Sequence, residues 1–526
     1  MSSTAPDERR PLDRGWLHGL SVVLLAAVLG LPALQGLPLT LDEHVSFHAS
    51  SAATPADVLR ISLNQLATPP LPSLLEWISL RLLGVSETAL RLPSLLAWLV
   101  AVWAMFRLGV TLGGVATGWL AALLLLGCPE VLDEVRIARP YGLVVALSIL
   151  LLWQTVLARQ SRPTLNGGLA WGLTAAALLW THYFATPLVA ILGLTLLAST
   201  IHRETLPAVA ARRGKRPVPA TSRIRLLRPV PALVAVMMPV LASVPLLPSL
   251  FRLADWSPAL SFQAGTPGAL QVTGPYWCVI GAVTAFLLLG LRRQAAGLPG
   301  GCSPSGWLWL WWLSPILLLC LAGWLGQGAL LNPRYRLAFV PVAIAAVSIA
   351  WTSRLSVRWL LPVAAASLTG VWLVTPQPPW QVARLGAIAD VEWQAAAVSL
   401  NRDTGSSRRA IFVQSALAES ALLGALPDDD GLAEYAGCRL NLYWQRTPRD
   451  VGLPIGLPWF WPIPGRATGV LAERLEKAEE VWVVGSTETD LTRGSLEQTD
   501  VWLQEDGWRQ ESETTATTLV VRRYLR

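Results

Sequence analysis

The chain has 526 residues, of which 53% are hydrophobic and 14% are charged. With a mean hydropathy of +0.47, this composition is typical of an integral membrane protein with some soluble chain attached, not of a purely soluble one. The formal charge of +7 is divided unevenly, because residues 1–375 carry +13 and residues 376–526 carry −6. An acidic tail and arginines clustered in loops argue against nucleic acid as a partner. The five cysteines show no CxxC pair and no metal-ligand spacing, so neither a disulfide framework nor a structural zinc is predicted.

Apolar segments predict a polytopic α-helical membrane region with about eleven transmembrane helices over residues 1–375. The segments lie at about 16–39, 89–106, 115–128, 140–158, 167–182, 184–201, 229–250, 274–291, 307–328, 335–352 and 358–375. The first is longer than the core of a signal peptide and is interpreted as an uncleaved signal-anchor helix. Residues 166–201 are divided into two spans at Thr181-His182-Tyr183, because one helix of that length would run ~54 Å, well beyond a ~30 Å hydrocarbon core.

The distribution of charge predicts the orientation of these spans. With the N-terminus inside, the inner loops hold 18 basic residues and the outer loops hold eight, while nine of the 13 acidic residues lie outside. The positive-inside rule therefore places the long loop 36–88 and the tail on the outer side.

Both outer parts have recognisable local patterns. In the loop 36–88, two amphipathic stretches at about 55–66 and 71–83 are predicted as interfacial helices. The tail, 376–526, is predicted as a small α/β domain. Its predicted strands are Ala410–Gln414, Val481–Gly485 and Thr518–Arg522, and its predicted helices lie near 381–400 and 468–479.

Four polar segments are predicted on the outer face, and they are where chemistry is expected. They are Asp42-Glu43-His44, residues 129–141, Thr181-His182-Tyr183 and residues 332–336. Together they supply carboxylates, guanidinium groups and phenols, which suit an anionic lipid headgroup and a general base.

Each segment also has a simpler interpretation. Asp42 is equally well a helix cap, the outer arginines can snorkel to lipid phosphates, and His182 can be a satisfied interfacial histidine. Asp133 and Glu134 can be solvated loop acids. The location of all four segments on one face is what favours a common site.

A metal site is one further alternative. His44 and His48 stand four residues apart and close to Asp42, but no convincing further ligand accompanies them, so no metal ligand is assigned. A divalent cation, Mg²⁺ or Mn²⁺, held by the carboxylates and a donor phosphate stays open.

Six short motifs follow one another in a characteristic order. They are Leu41-Asp42-Glu43, Thr68-Pro69-Pro70-Leu71, Ala89-Leu90-Arg91-Leu92-Pro93-Ser94, Ala138-Arg139-Pro140-Tyr141, Thr181-His182-Tyr183-Phe184 and Pro333-Arg334-Tyr335. In this order the chain resembles the bacterial branch of the C-type glycosyltransferases, the family-39 protein mannosyltransferases and their lipid A aminoarabinose transferase relatives. The resemblance covers about residues 16–375, and the tail is similar only in kind.

The resemblance implies a bacterial inner-membrane enzyme whose active site and tail are periplasmic. It would transfer a sugar from a polyprenyl-phosphate-linked donor to a periplasmic acceptor, which could be a lipid, a polysaccharide or a protein. Asp42 would be the general base, Glu43 beside it is the second catalytic candidate, and Arg139 and Arg334 would bind the lipid phosphate. The further candidates for binding the donor are Tyr141, His182, Tyr183, Tyr335 and Arg336.

Two departures from the family pattern affect the expected site. Thr68 stands where the family usually has His before Pro-Pro, and Ile137 stands where it usually has Glu. A second acid must then come from Asp133 or Glu134, or be absent.

With one carboxylate as base and guanidinium groups on the phosphate, direct displacement would invert the anomeric centre.

A non-enzymatic transporter or flippase of a lipid-linked or small polar substrate is the alternative function. Transporters usually carry charges at mid-membrane depth, often in interrupted helices. Here the spans are nearly free of charge and the acidic residues cluster at one surface, which favours an enzyme.

Overall fold

The computed structural model describes residues 15–31, 38–161, 164–212, 230–260, 333–374, 387–402 and 408–526, the last with breaks within 416–425 and at 445–450, 458–468 and 488–489. Between 261 and 332 it describes a few scattered residues.

The membrane part is built from helices. In chain order they are α1 (Gly15–Gly30), α2 (Leu41–Ser50), α3 (Pro55–Arg60), α4 (Leu71–Leu83), α5 (Glu87–Gly113), α6 (Val115–Leu126), α7 (Pro129–Val135), α8 (Tyr141–Gln160), α9 (Leu165–Leu179), α10 (Thr186–Arg212), α11 (Val230–Ser243), α12 (Leu247–Leu260), α13 (Val340–Thr352) and α14 (Val357–Val374). Short 3-10 turns, Tyr183–Ala185 and Pro333–Arg336, lie before α10 and α13. The first of these turns lies at the predicted break between the two short spans.

The predicted number of eleven spans is not confirmed. Within the described residues, four stretches are long and apolar enough to cross a bilayer, namely Glu87–Gly113, Tyr141–Gln160, Tyr183–Ile201 and Val230–Ala254. A fifth follows if α6 and α7, which meet at a bend of 66°, form one span. Shorter apolar helices are Trp16–Gly30, Leu165–Leu179, Val340–Thr352 and Val357–Val371. The predicted spans 274–291 and 307–328 lie largely outside the described residues, so the total stays a prediction.

Helix α5 is central to the membrane part and packs against α1, α4, α6 and α8. Its approach to α6 depends on glycine, because a Cβ atom on Gly109 would lie 2.7 Å from the Cα atom of Gly118. At the other end, a Cβ atom on Gly142 of α8 would lie 2.6 Å from Oγ of Ser94 in α5. The second approach holds the start of α8 against the N-terminal part of α5.

The loop 36–88 folds into three helices, and both stretches predicted as interfacial are helical. Their place at the membrane surface stays a prediction. Pro55–Arg60 continues as a π-helical turn, Ile61–Gln65, and α4 spans Leu71–Leu83. The helix α2 precedes them. On α4, Ile78, Leu82 and Leu83 stay exposed, as expected of a helix whose apolar side rests on lipid.

The C-terminal domain is an α/β unit with a five-stranded sheet. Its helices are α15 (Ala387–Arg402), α16 (Asp430–Ala436), α17 (Gly469–Lys477) and α18 (Asp490–Glu505), and its strands are β1 (Arg409–Gln414), β2 (Ile455–Leu457), β3 (Glu480–Ser486), β4 (Arg509–Ala516) and β5 (Leu519–Leu525). The order is β2-β1-β3-β5-β4, with β2, β1 and β3 parallel and both contacts of β5 antiparallel. The three predicted strands correspond to β1, β3 and β5.

The two faces of this sheet have different partners. One face packs on α15 through Trp393, Ala397 and Leu400. The core on the other face is continuous with Val45 and Ala49 of α2. Helix α2 therefore belongs both to the outer loop and to the core of the C-terminal domain.

Candidate active site

The site begins at the first turn of α2. The backbone N–H of Thr40, the residue before the helix, donates to Oε2 of Glu43 at 2.9 Å, which is one half of a capping box. Successive residues of a helix point about 100° apart. Asp42 and Glu43 therefore face different surroundings although they are neighbours.

Glu43 lies in the protein interior. It is 0% exposed and holds Arg91 of α5 by two bonds, Nε to Oε1 at 2.6 Å and Nη2 to Oε2 at 2.8 Å. The backbone N–H of Ala138 also donates to Oε1, at 2.9 Å. Burial raises the pKa of Glu43, but the hydrogen bonds and charge of Arg91 outweigh it, and the pKa is lowered overall. Glu43 thus joins α2, α5 and the loop before α8.

Asp42 faces the cavity and meets the predicted guanidinium groups. Nη1 of Arg334 lies 2.5 Å from its Oδ2, and Nη1 of Arg139 donates to its backbone carbonyl at 3.2 Å. Nε of Arg334 also lies 3.3 Å from Oε1 of Glu134. Arg334 is therefore shared by two carboxylates, one on each side.

A cavity of about 350 Å³ brings most of the predicted residues together, a volume typical of small-molecule sites. The predicted site residues that line it are Asp42, Arg139, Tyr141, His182, Tyr183, Arg334 and Tyr335. The others do not line it, namely Glu43, Asp133, Glu134 and Arg336. The sequence prediction that both acids of the Asp42-Glu43 pair share the pocket is corrected: Asp42 lines it, and Glu43 is buried against Arg91.

Aromatic rings form one wall of the cavity. The ring of His182 lies 5.4 Å from that of Tyr141 and 5.6 Å from that of Tyr335, measured between centroids. Phe184 contacts Tyr335 at 4.2 Å, and the hydroxyl of Tyr183 donates to Oγ of Ser249 at 2.6 Å. The loop before α10 and the turn before α13 are thereby held together.

Sequence reasoning missed several residues of the cavity wall. They are Ser46 and Ser73, with Leu417 and Tyr435 from the C-terminal domain. Nothing in the local sequence marks Leu417 or Tyr435, because their place depends on how the domain packs on α2. Thr68, where the family usually has His, also lines the cavity.

A second buried acid near the site was also not predicted. Glu76 of α4 is 3% exposed, and its Oε2 has no hydrogen-bond partner within the described part of the chain. Burial raises its pKa well above the usual value, against the opposing effect of Arg139. Burial therefore acts against the charged form of Glu76.

The acidic and histidine side chains near the cavity bear on whether a metal ion could be held there. Within the described residues, no group of three or more His, Cys, Asp or Glu side chains is arranged to hold a metal ion. Between Asp42 and Glu134 the positive charge is supplied by the guanidinium of Arg334. His44 and His48 are buried against the C-terminal domain instead, with His44 beside Tyr443 and His48 beside Asn441.

Comparisons with known proteins agree with this architecture. Residues 67–211 match the family model of dolichyl-phosphate-mannose-protein mannosyltransferase. ArnT from Cupriavidus metallidurans in the apo state superimposes with a TM-score of 0.59 at 12% identity, over 98% of both chains. The same protein bound to undecaprenyl phosphate gives a TM-score of 0.50 at 14% identity, over 97% of this chain and 98% of that one.

A more distant likeness is to the oligosaccharyltransferase AglB from Archaeoglobus fulgidus, in complex with an inhibitory peptide and a dolichol-phosphate. Its TM-score is 0.47 at 11% identity, over 97% of this chain and 74% of that one. A search of curated protein sequences finds no match. The resemblance predicted from the ordered motifs is confirmed, since residues 67–211 match the model of a family of that class and the chain has the membrane fold of ArnT.

Proposed function

We propose that this protein is a membrane glycosyltransferase that transfers a sugar from a polyprenyl-phosphate-linked donor to an extracytoplasmic acceptor. The observation that carries the proposal is the contact of Asp42 with Arg334 and Arg139 in one cavity. A carboxylate beside two guanidinium groups suits a reaction that needs both a base and a site for a phosphate leaving group.

The proposed roles follow from the charges. Arg139 and Arg334 bind the phosphate of the donor and stabilise the charge that it gains as it leaves. The acceptor hydroxyl forms a bond to the anomeric carbon while the bond from that carbon to the phosphate oxygen breaks. The electron pair leaves with the phosphate, and Asp42 takes the hydroxyl proton. Attack opposite the leaving group inverts the anomeric centre.

Donor binding would rearrange the ion pairs around Arg334. In the present structure Arg334 contacts both Asp42 and Glu134. A phosphate that binds the same guanidinium competes with Asp42 for it and leaves the carboxylate available to accept a proton. Glu134 would hold Arg334 in place, and Glu43 would act as a positioning residue through Arg91.

Orientation is part of the proposal. The excess of basic residues in the inner loops and the exposed apolar side chains of α4 support a cavity at the outer surface of a bacterial inner membrane. A lipid carrier brings a sugar to that surface, where nucleotide sugars are absent. Tyr141, His182, Tyr183 and Tyr335 would then surround the donor headgroup.

The test is sugar transfer by the purified protein in detergent, where vectorial transport is impossible. The donors are undecaprenyl phosphates that carry mannose or aminoarabinose, and lipid A and envelope proteins serve as acceptors. Asp42→Asn is expected to lower turnover by about 10²–10⁴-fold, the usual contribution of a general base. Asp57→Asn, which changes a partly exposed acid of the same outer loop, is the matched control. If sugar transfer persists in the Asp42→Asn variant, Asp42 is not the general base. If the native protein does not bind undecaprenyl phosphate, the proposed function is wrong.

A further inference from the structure

Helix α4 has a polar side that runs inward from the cavity wall. The helix starts beside the site, because the backbone N–H of Leu71 donates to the carbonyl oxygen of Trp180 at 3.0 Å. Ser73 lines the cavity, and Glu76 follows three residues later on the same side of the helix. Glu76 is not among the described residues that line the cavity. It therefore lies one turn behind the wall, with 3% of its surface exposed.

The carboxyl group of Glu76 has an unsatisfied oxygen. Within the described part of the chain, its Oε2 has no hydrogen-bond partner. Neighbouring polar groups of α4 are bonded, since Trp77 donates to the carbonyl oxygen of Ala52 and Ser79 donates to that of Ala89. An unpartnered buried carboxyl group costs stability, whereas an apolar side chain of similar size does not. An acid that works against the fold at this place indicates a functional role.

Arg139 has the complementary unsatisfied group. Its Nη1 donates to the backbone carbonyl of Asp42 at 3.2 Å, but its Nε is buried and has no hydrogen-bond partner among the described residues. Burial raises the pKa of Glu76, the charge of Arg139 opposes that rise, and the charge of Glu43 adds to it. The guanidinium of Arg139 is therefore close enough to Glu76 for an electrostatic interaction. One side chain needs an acceptor, and the other needs a donor.

We infer that Glu76 is a positioning residue for Arg139 and accepts its Nε–H when the Nη atoms bind the phosphate of the donor. The inference rests on the proposed function, in which Arg139 binds that phosphate. A guanidinium presents two N–H groups to a phosphate reliably only when its plane is fixed by other contacts. The carbonyl oxygen of Asp42 is one such contact, and Glu76 supplies the acceptor for the Nε. Glu76 acts through Arg139, because it lies behind the wall and does not itself reach the donor.

The test measures binding of undecaprenyl phosphate to the full chain by thermal-shift titration. Glu76→Leu removes the acceptor and should lower the affinity about tenfold. Glu76→Gln keeps an accepting oxygen at the same distance along the side chain, so its affinity should stay within about threefold of native. Without lipid, Glu76→Leu should melt at or above the native temperature, because it replaces an unsatisfied buried acid by an apolar side chain. Weaker binding in a protein of undiminished stability is not the result of a merely structural role.

A double-mutant cycle tests whether Glu76 acts through Arg139. Arg139→Gln removes the guanidinium, and Arg334 remains to bind the phosphate. In this background Glu76→Leu should cause no further loss of affinity, because the group that it positions is gone. If Glu76→Leu lowers the affinity by the same factor in both backgrounds, Glu76 does not act through Arg139 and the inference is overturned.

Ser79→Ala is the matched control, because Ser79 is a buried polar residue of the same helix whose hydroxyl bonds to Ala89. It should melt below the native temperature and keep the native affinity. The inference is also overturned if Glu76→Leu binds undecaprenyl phosphate as tightly as the native protein, or if Glu76→Gln binds as weakly as Glu76→Leu. A native protein that fails to bind undecaprenyl phosphate at all would instead refute the proposed function.

Discussion

Arg334 occupies the position where a phosphate and the candidate base would compete. Its Nη1 faces Asp42 and its Nε faces Glu134, and both carboxylates lie close enough to fix the plane of the guanidinium. The guanidinium is planar and has several N–H donors. It can therefore stay hydrogen-bonded to one carboxylate while another of its edges binds a phosphate. A compact ammonium group lacks this geometry, so the identity of the cation matters as well as its charge.

Arg334→Lys should therefore lower the catalytic efficiency for a polyprenyl-phosphate donor by about 10–100-fold, since lysine does not reproduce a bidentate guanidinium–phosphate contact. The measurement is kcat/KM of the purified variant at saturating acceptor. Arg60→Lys is the control, because Arg60 is an exposed arginine of the loop 36–88 that does not line the cavity. A lysine variant with native efficiency would show that Arg334 does not bind the leaving group.

Glu43→Gln should act on stability, because it leaves Arg91 buried without its charged partner. Loss of one member of a buried ion pair costs about 3–5 kcal/mol. The folded-state pKa of Glu43 is lowered, so its contribution is fully present above the unfolded value of about 4.3 and is lost as the pH falls below it. Thermal melting in detergent should show a constant deficit between pH 6 and pH 8 that narrows below about pH 4.

Asp57→Asn again serves as the control for melting and should be close to native. If the Glu43→Gln protein melts at the same temperature as the native protein, the ion pair between Glu43 and Arg91 contributes little to the stability of the fold. A protein that is stable but has lost turnover would return Glu43 to the list of catalytic candidates.

At the scale of elements, the helix α2 contacts three neighbours, each with a different side. Asp42 points to the cavity, Glu43 to Arg91 of α5, and His48 to the C-terminal domain. Three partners on three sides fix both the axial position and the rotation of this short helix. A ten-residue helix is marginal in isolation, so its geometry comes from these contacts.

The sequence was sufficient to predict that Asp42, Arg139 and Arg334 would meet, but only through the ordered motifs of the resemblance. The bias of arginine between loops predicts eight basic residues on the same side as Asp42 and does not distinguish these two arginines. The prediction was wrong for Glu43 as a cavity residue, because one step along a helix turns a side chain by about 100°. It also missed β4, whose residues Arg509–Ala516 are all exposed and show no apolar alternation. Strand β2, with three residues, is too short to give a periodic signal.

At the scale of the whole molecule, the cavity is completed by segments nearly 400 residues apart in the chain. Ser46 and Tyr435 both line it, although no local pattern connects them. Their meeting depends on long-range packing, through the apolar cluster that joins α2 to the sheet. This is why the membrane part of the site could be predicted from motifs and the contribution of the C-terminal domain could not.

The contact between α2 and the C-terminal domain also buries two histidines, His44 and His48. The stability of the folded protein should therefore depend on pH. Burial lowers the pKa of His44 to about 3, helped by the charges of Arg439 and Arg91. For His48, burial lowers the pKa to about 4 and outweighs a hydrogen bond with Gln65, which favours the protonated ring and raises the pKa. Tyr443 and Tyr435 are the other titratable groups that face these rings. Both histidines are therefore neutral in the folded protein at any pH above about 5.

Acidification from pH 7.5 to pH 5 should destabilise the protein through His44 and His48. In the unfolded chain histidine binds a proton below about pH 6.5, whereas the folded protein does not until the pH is far lower, so stability falls as the pH drops below about 6.5. At pH 5 the cost is on the order of 2 kcal/mol for each ring. The double variant His44→Phe, His48→Asn, which cannot bind these protons, should melt with a much smaller dependence on pH over that range. His18→Asn, on α1 and away from the contact, should keep the native dependence. Because the contribution of Glu43 changes only below about pH 4.3, a native protein that melts equally at pH 7.5 and pH 5 would mean that these histidines are not buried neutral.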